Sequence, residues 1–199
     1  MAETKQVFRI SIGGRIGAAV IVMSIVLVAV ATLAGAVQLW QASEYIWALV
    51  VASIAIPLGL ILRYMLRDLQ GKWGWRVEVR SDHAVVSLPS GRSLYHRPPA
   101  YSGVVAYSDL SRVECRPELY AQLGTESVID TWWLIPKQGE ALLIAEDRPT
   151  NPRYDMRTTF ARETATAIAE AAGVKVKHCQ MAEGHAGILG MWGVRPPGT

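Results

Sequence analysis

The chain has 199 residues, of which 51% are hydrophobic, and a formal net charge of +3 at pH 7. Residues 71–199 carry 15 Lys and Arg against 14 Asp and Glu, and this near balance argues against nucleic acid as a partner, because nucleic-acid binders carry a basic patch on the folded domain. The two cysteines, Cys115 and Cys179, are too few for a disulfide-stapled secreted domain.

The first long apolar segment covers residues 16–39 and contains no charged side chain. A helix of this length spans the ~30 Å hydrocarbon core of a bilayer at ~1.5 Å per residue. The apolar core of a secretory signal peptide is shorter, at about 7–15 residues. We therefore predict an uncleaved transmembrane helix.

A second apolar segment covers residues 45–62, or 45–66 if Arg63 is carried near its end, and it contains Pro57, where we expect a kink. The connection between the two segments, residues 40–44, is short, so the segments are predicted to form an antiparallel hairpin. That connection has no Lys or Arg and carries Glu44, whereas both flanks are basic, which predicts that both termini are cytoplasmic. The basic flanking residues are Lys5, Arg9, Arg15, Arg63, Arg67, Lys72 and Arg76.

Two features of the hairpin bear on its role. Neither segment carries a charged residue near its middle, which argues against independent transport, because ion pathways need such groups. Small residues recur four apart, which favours close helix packing, either within the hairpin or against other membrane proteins. These pairs are Gly13 and Gly17, Ala31 and Gly35, Ala48 and Ala52, and Ala55 and Gly59.

From Trp75 onward the apolar pattern alternates, which is typical of half-buried strands. A helix is predicted over residues 156–172, because apolar residues recur there at three- and four-residue spacing and Gly173 stands at the C-cap position. The predicted strands cover residues 75–80, 83–88, 92–96, 103–107, 110–116, 119–123, 127–135 and 140–146.

Residues 105–114, with the sequence VAYSDLSRVE, join one strand to the next through a turn. This segment, in a run of strands closed by one helix, resembles the bacterial pleckstrin-homology-like family. The resemblance covers residues 75–174 and implies a bent barrel closed by a C-terminal helix, a fold that this family often places beside a two-helix membrane hairpin. The resemblance also implies that the protein is located in the inner membrane of a bacterium.

The predicted fold class is an α+β membrane protein in which a two-helix transmembrane hairpin precedes a pleckstrin-homology-like antiparallel β-barrel or sandwich with a C-terminal helical cap. Four segments are predicted along the chain. They are a cytoplasmic N-terminal segment over 1–15, the hairpin over 16–66, the soluble domain over 67–177 and a glycine-rich apolar tail over 178–199.

Two sets of residues are candidates for contact with a partner or the membrane. Trp132 and Trp133 are adjacent on a predicted strand, so one is expected to face the core and the other the outside. The tail combines five glycines with apolar side chains, which favours either a docking peptide or a terminus folded back on the domain. The tail candidates are Ile188, Leu189, Met191 and Trp192.

The basic residues after the second span have two interpretations. The first is that they bind anionic lipid head groups, as basic side chains near the cytoplasmic interface do in many membrane proteins. The second and simpler one is that they only set the orientation of the hairpin in the membrane. The head-group candidates are Arg63, Arg67, Lys72 and Arg76.

The chain contains none of the common catalytic, nucleotide-binding or calcium-binding motifs. His178, Cys179 and His185 are too few and too loosely spaced for a zinc site, which needs about four ligands. We therefore predict no metal, no cofactor and no enzymatic activity, with an unfamiliar site at His83, His96 or Asp109 as the enzymatic alternative.

These features together favour a non-enzymatic interaction protein anchored in the membrane, as an accessory or assembly subunit of a larger complex. Its expected partners are the lipid bilayer and other integral membrane subunits. The alternative is a module for membrane stress or lipid sensing that associates with itself into a homo-oligomer.

Overall fold

The computed structural model of the chain describes residues 6–93, 95–122, 125–151, 156–186 and 194–197. These residues form two compact units. The helical unit covers Ser11–Trp73, and the β unit combines the residues before Ser11 with those from Gly74 onward. The protein is therefore a mixed α+β chain in which two helices are inserted, in chain order, into a β unit.

Two helices of 30 residues each make up the helical unit: α1, Ile12–Gln41, and α2, Tyr45–Gly74. Helix α1 begins where the Ser11 hydroxyl accepts a hydrogen bond from the Gly14 amide at 3.1 Å, which caps the first turn. Helix α2 continues through Pro57. Both helices extend beyond the predicted apolar spans, because polar residues at their ends continue the helical hydrogen bonding.

Among the described helices, these two are long and apolar enough to cross a membrane. Their apolar side chains are mostly exposed, as Leu27 at 64% and Ile46 at 77% illustrate. A core helix of a water-soluble protein instead buries a continuous apolar stripe. The helices are thus present as predicted, with the apolar exposure that a lipid environment would cover.

The β unit has one α-helix, α3, Phe160–Ala172, and eleven strands within the described residues. The strands are β1 Gln6–Arg9, β2 Arg76–Val79, β3 His83–Leu88, β4 Tyr101–Ala106, β5 Leu110–Gln122, β6 Thr125–Pro136, β7 Leu142–Asp147, β8 Pro149–Asn151, β9 Met156–Arg157, β10 Val176–His178 and β11 Ala182–His185.

The first sheet has the order β1-β2-β3-β4 with antiparallel pairs throughout. Strand β1 precedes the helices in the chain, yet it pairs with β2, which follows them, so that Arg9 lies opposite Arg76. Phe8 packs against the core, and burial of its ring stabilises the pairing of β1 with the sheet.

The second sheet has the order β10-β5-β6-β7, and β11 also pairs with β5. Strands β10 and β11 run parallel to β5, which departs from the all-antiparallel prediction. Strand β5 is continuous across residues predicted as two separate strands. Pro117 has no amide hydrogen, and the partner along that edge is interrupted there: β10 pairs with Val113 to Cys115 and β11 begins opposite Glu118.

Both sheets and α3 share one apolar core. The buried face of α3 includes Ala161, Ala165 and Ile168, each fully buried. Gly173 ends the helix in the left-handed conformation at φ 63°, as predicted for a C-cap. Helix α3 begins later than predicted because Asp147 on β7 accepts hydrogen bonds from the amides of Ala161 and Arg162, at 3.2 and 2.9 Å.

Two further predictions are corrected in the β unit. The described strands do not close into a barrel, since β4 and β7 each have one neighbouring strand. Residues 90–92 form a short 3-10 helix, and residues 93 and 95–96 form no strand, so the predicted strand at 92–96 is wrong. Pro98 and Pro99 have no amide hydrogen, which disfavours a ladder along this segment.

Trp75, the residue between α2 and β2, is part of the core of the β unit at 1% exposure. Its indole nitrogen donates a hydrogen bond to the Ile144 carbonyl at 3.0 Å, and its ring contacts Phe160 edge to face. Trp73, two residues earlier, is 58% exposed.

Candidate functional site

Trp132 and Trp133 lie on opposite faces of β6. Trp132 is 2% exposed in the shared core, so in this structure it is not available to a partner. Trp133 is half-buried on the other face, where its ring meets His96 edge to face and the Arg116 guanidinium at 4.8 Å. Its indole nitrogen donates to the Thr131 hydroxyl at 2.9 Å. Of the two tryptophans, Trp133 is therefore the one with exposed surface that a partner could contact.

The tail candidates Ile188, Leu189, Met191 and Trp192 lie outside the described residues. The described parts on either side of them belong to the β unit. The backbones of His185 and Arg195 exchange two hydrogen bonds, at 2.8 and 2.9 Å. Ala186 and Val194 pack with Tyr95, Tyr120 and Ile129 in a second, smaller apolar cluster.

The head-group candidates occupy α2 and the start of β2. Arg63 is exposed on α2. Lys72 forms an ion pair with Asp68 at 2.6 Å, one helical turn away, and Arg76 forms an ion pair with Glu78. Lys72 and Arg76 thus already have an acidic partner, which lowers the charge that they present outward.

A buried carboxylate, Glu118 on β5, is the centre of a polar network. It is 2% exposed, and it accepts hydrogen bonds from the Tyr120 hydroxyl at 2.7 Å and the Thr131 hydroxyl at 2.9 Å. His96 Nε2 lies 2.8 Å from both carboxylate oxygens. Burial, followed by the interaction with Glu118, raises the pKa of Tyr120. The phenol therefore keeps its proton and serves as a hydrogen-bond donor.

A second buried carboxylate, Glu146 on β7, accepts from the Ser93 hydroxyl at 2.6 Å and pairs with Arg148. Ser93 also accepts a hydrogen bond from the His96 amide at 3.1 Å. Both carboxylates are thus tied to the segment that holds Ser93 and His96. The arrangement fixes that segment against the second sheet.

A groove of about 630 Å³ lies between β4 on one side and β6 and β7 on the other. His96, Asp109 and Trp133 line it, together with Arg92, whose guanidinium is buried. Of the three residues named for an enzymatic alternative, His96 and Asp109 line this groove. The third, His83, lies on β3, where its Nδ1 is 2.7 Å from Asp82 Oδ1. The groove wall also includes Tyr101, Val104, Val105, Pro136, Leu142 and Leu143.

Sequence reasoning missed Arg92, Glu118 and Glu146. Strand alternation assigns Glu118 to the face opposite Val113 and Cys115, which is the solvent face in a simple two-layer sheet. A segment without regular strand or helix structure, holding Tyr95 and His96, covers that face instead. One signal in the sequence was available. Glu114, Glu118 and Tyr120 lie on the same side of β5, and the tyrosine indicates that this side is at least partly covered.

Comparison with models of known protein families, with curated proteins and with solved structures gave no match to this chain. The described residues define a mixed α+β protein with two long apolar helices and a β unit of two principal sheets and a C-terminal helix.

Proposed function

We propose that this protein is a non-enzymatic interaction protein anchored in a bacterial inner membrane, where it serves as an accessory or assembly subunit of a larger complex. One observation carries the proposal: the two apolar helices are inserted between β1 and β2, which pair with each other. Two residues separate β1 from α1, and Trp75 alone separates α2 from β2. Such short connections suit a domain held at the membrane surface rather than one on a flexible linker.

The proposed orientation has both termini in the cytoplasm. It is supported by the basic flanks, by the absence of Lys and Arg from residues 42–44, and by the pairing of Arg9 with Arg76, which brings the two flanks together. The proposed relation of the β unit to the bacterial pleckstrin-homology-like family is supported by two sheets that share a core with a C-terminal helix. The open edges of β4 and β7 and the parallel β10 and β11 depart from that pattern.

Two surfaces are proposed for docking onto other membrane subunits. On the helices, a Cβ atom built at Gly17 or Gly59 meets nothing within 4 Å. These glycines therefore serve no close contact with the rest of the described residues, which supports lateral packing against another membrane helix. The tail candidates, from Ile188 to Trp192, form the second proposed surface.

Affinity purification from native membranes in mild detergent tests the proposal, with the tag at the N-terminus so that the tail stays free. We expect a stoichiometric membrane protein to co-purify. Gly59→Ile or Trp192→Ala is expected to reduce that recovery, whereas Ser81→Ala, in an exposed turn of the β unit, is the matched control that retains it. Recovery of the chain without any partner would contradict the proposal.

The second function is a self-associating module for membrane stress or lipid sensing. The open positions at Gly17 and Gly59 favour it equally, because a second copy of the same helix fits them as well as a different subunit does. Purification of this chain only with itself, with crosslinks between copies that Gly59→Ile abolishes, would support this function over the first.

A further inference from the structure

The groove between β4 and the β6–β7 hairpin has apolar walls and open strand edges. Its volume of about 630 Å³ lies within the range of pockets that hold small ligands, roughly 300–1,000 Å³. Val104 on β4 is 60% exposed at this groove, although it is a large apolar side chain. Leu142 and Pro136 are on the opposite wall. An apolar molecule would remove this surface from water.

Arg92 supplies a buried positive charge to the same groove. Its side chain is 7% exposed. Nε donates to the Leu143 carbonyl at 2.7 Å, and Nη1 donates to the carbonyls of Pro89 and Pro99 at 2.9 and 2.6 Å. The hydrogen bonds that this guanidinium makes with the described residues come from Nε and Nη1, and all of them go to backbone carbonyls rather than to a carboxylate. Burial lowers the pKa of Arg92 to about 10, as expected for a cation without a counter-ion.

The other charged groups at the groove restrict what the arginine could bind. His96 already has a partner, because its Nε2 lies 2.8 Å from both carboxylate oxygens of Glu118. Asp109 and Glu140 are exposed at the groove, and their negative charges disfavour a polyanion such as a phosphate dianion. Because Nε and Nη1 are occupied, Arg92 offers one nitrogen rather than a bidentate pair. This arrangement suits a single negative charge.

We propose that the groove binds a small apolar monocarboxylate. The carboxylate accepts hydrogen bonds from Arg92 Nη2, and the apolar body lies against Val104 and Leu142. The buried cation then gains a counter-ion that the described residues do not supply, and the exposed apolar wall is covered. This site is independent of the docking surfaces on the helices and the tail.

Isothermal titration of 3-phenylpropionate into the full chain in lipid nanodiscs tests this site, with empty nanodiscs as the reference for partition into lipid. We expect saturable binding to one site per chain. The neutral amide, 3-phenylpropionamide, has the same shape without the charge, and we expect it to bind about tenfold more weakly or worse, because its oxygen accepts the hydrogen bond without the negative charge that strengthens it.

Val104→Trp is expected to abolish the binding by filling the groove, and it does not touch the buried hydrogen bonds of Arg92. Val7→Trp, on the exposed side of β1, is the matched control and is expected to bind as the unaltered chain does. Equal binding of acid and amide, unaltered binding by Val104→Trp, or no heat beyond that of empty nanodiscs would each overturn the proposal.

Discussion

Ile144 is the extra residue of a β-bulge on β7, because Trp132 pairs with Ala145 and Trp133 with Leu143. The Trp75 indole satisfies the Ile144 carbonyl. Trp75→Phe removes this donor while keeping an aromatic ring, and we expect a loss of about 1–3 kcal/mol in the free energy of unfolding, because a buried acceptor is left without a partner. Thermal and denaturant unfolding followed by near-ultraviolet circular dichroism measure it.

Trp73→Phe is the matched control for that substitution. Trp73 is 58% exposed, so its replacement is expected to change the unfolding free energy by less than about 0.5 kcal/mol. Equal effects of the two substitutions would contradict the role assigned to Trp75.

Glu114 gives the β unit a defined dependence on pH. Burial raises its pKa, but hydrogen bonds from Arg112 and Arg116 outweigh that effect, and the pKa lies below its ordinary value. A lowered folded-state pKa stabilises the fold above the unfolded-state pKa, about 4.3, and this stabilisation is lost as the pH falls through the folded-state pKa. Glu114→Gln is therefore expected to cost about 1.5–3 kcal/mol at neutral pH, with a smaller cost in acid.

The free energy of unfolding of the unaltered chain and of Glu114→Gln, measured from about pH 7 down to about pH 3, gives the cost of the substitution at each pH. The two curves are expected to converge as Glu114 becomes protonated. A difference that stays constant or grows in acid would mean that the carboxylate charge does not stabilise the fold.

At the scale of the element, β11 depends on a single glycine. A Cβ atom at Gly184 would lie 2.4 Å from Tyr120 Cε1, closer than atoms can approach. The Tyr120 ring cannot move aside easily, because it is 1% exposed and stacked on Tyr95 with ring centroids 3.8 Å apart. Gly184→Ala is expected to detach β11 from β5 and to destabilise the chain by about 1–3 kcal/mol.

Hydrogen exchange of the β11 amides measures that detachment. Glu183→Ala, at the exposed neighbouring position, is expected to leave the exchange unchanged. Protection of residues 182–185 that is the same in both variants would contradict the account of Gly184.

The elements that the sequence predicts well are those with a local signal. The apolar runs predict α1 and α2, and the stripe ending at Gly173 predicts α3. The continuous β5 was not predicted because Pro117 usually ends a strand. Here its missing amide hydrogen falls where β10 gives way to β11, so the proline interrupts the neighbouring edge rather than β5 itself.

The candidate site could not be predicted because it depends on contacts between distant segments. Arg92 follows a turn signal and looks like a surface residue, yet its guanidinium is held by the carbonyls of Pro99 and Leu143. Glu118 has the same character, since its partners His96 and Thr131 come from other elements. Alternation along a strand identifies a face but does not show which loop covers it.

At the scale of the whole molecule, the pairing of β1 with β2 joins residues that lie about seventy positions apart, as with Gln6 and Val79. No periodicity within residues 6–9 specifies a partner so far along the chain. The pairing makes the apolar helices an insertion in the β unit. If those helices cross a membrane, β1 and β2 must leave them on the same side, with the connection at residues 42–44 on the other.

Cysteine labelling in intact bacterial cells measures this arrangement most directly. In a Cys179→Ser background, Ala42→Cys reports on the connection and Ser81→Cys on the β unit; both positions are exposed, and the remaining native thiol, Cys115, is buried. We predict that a membrane-impermeant maleimide labels the first variant in intact cells and the second only after lysis. Labelling of position 81 from outside, or equal labelling of both positions in intact cells, would contradict the hairpin anchor on which the proposed function rests.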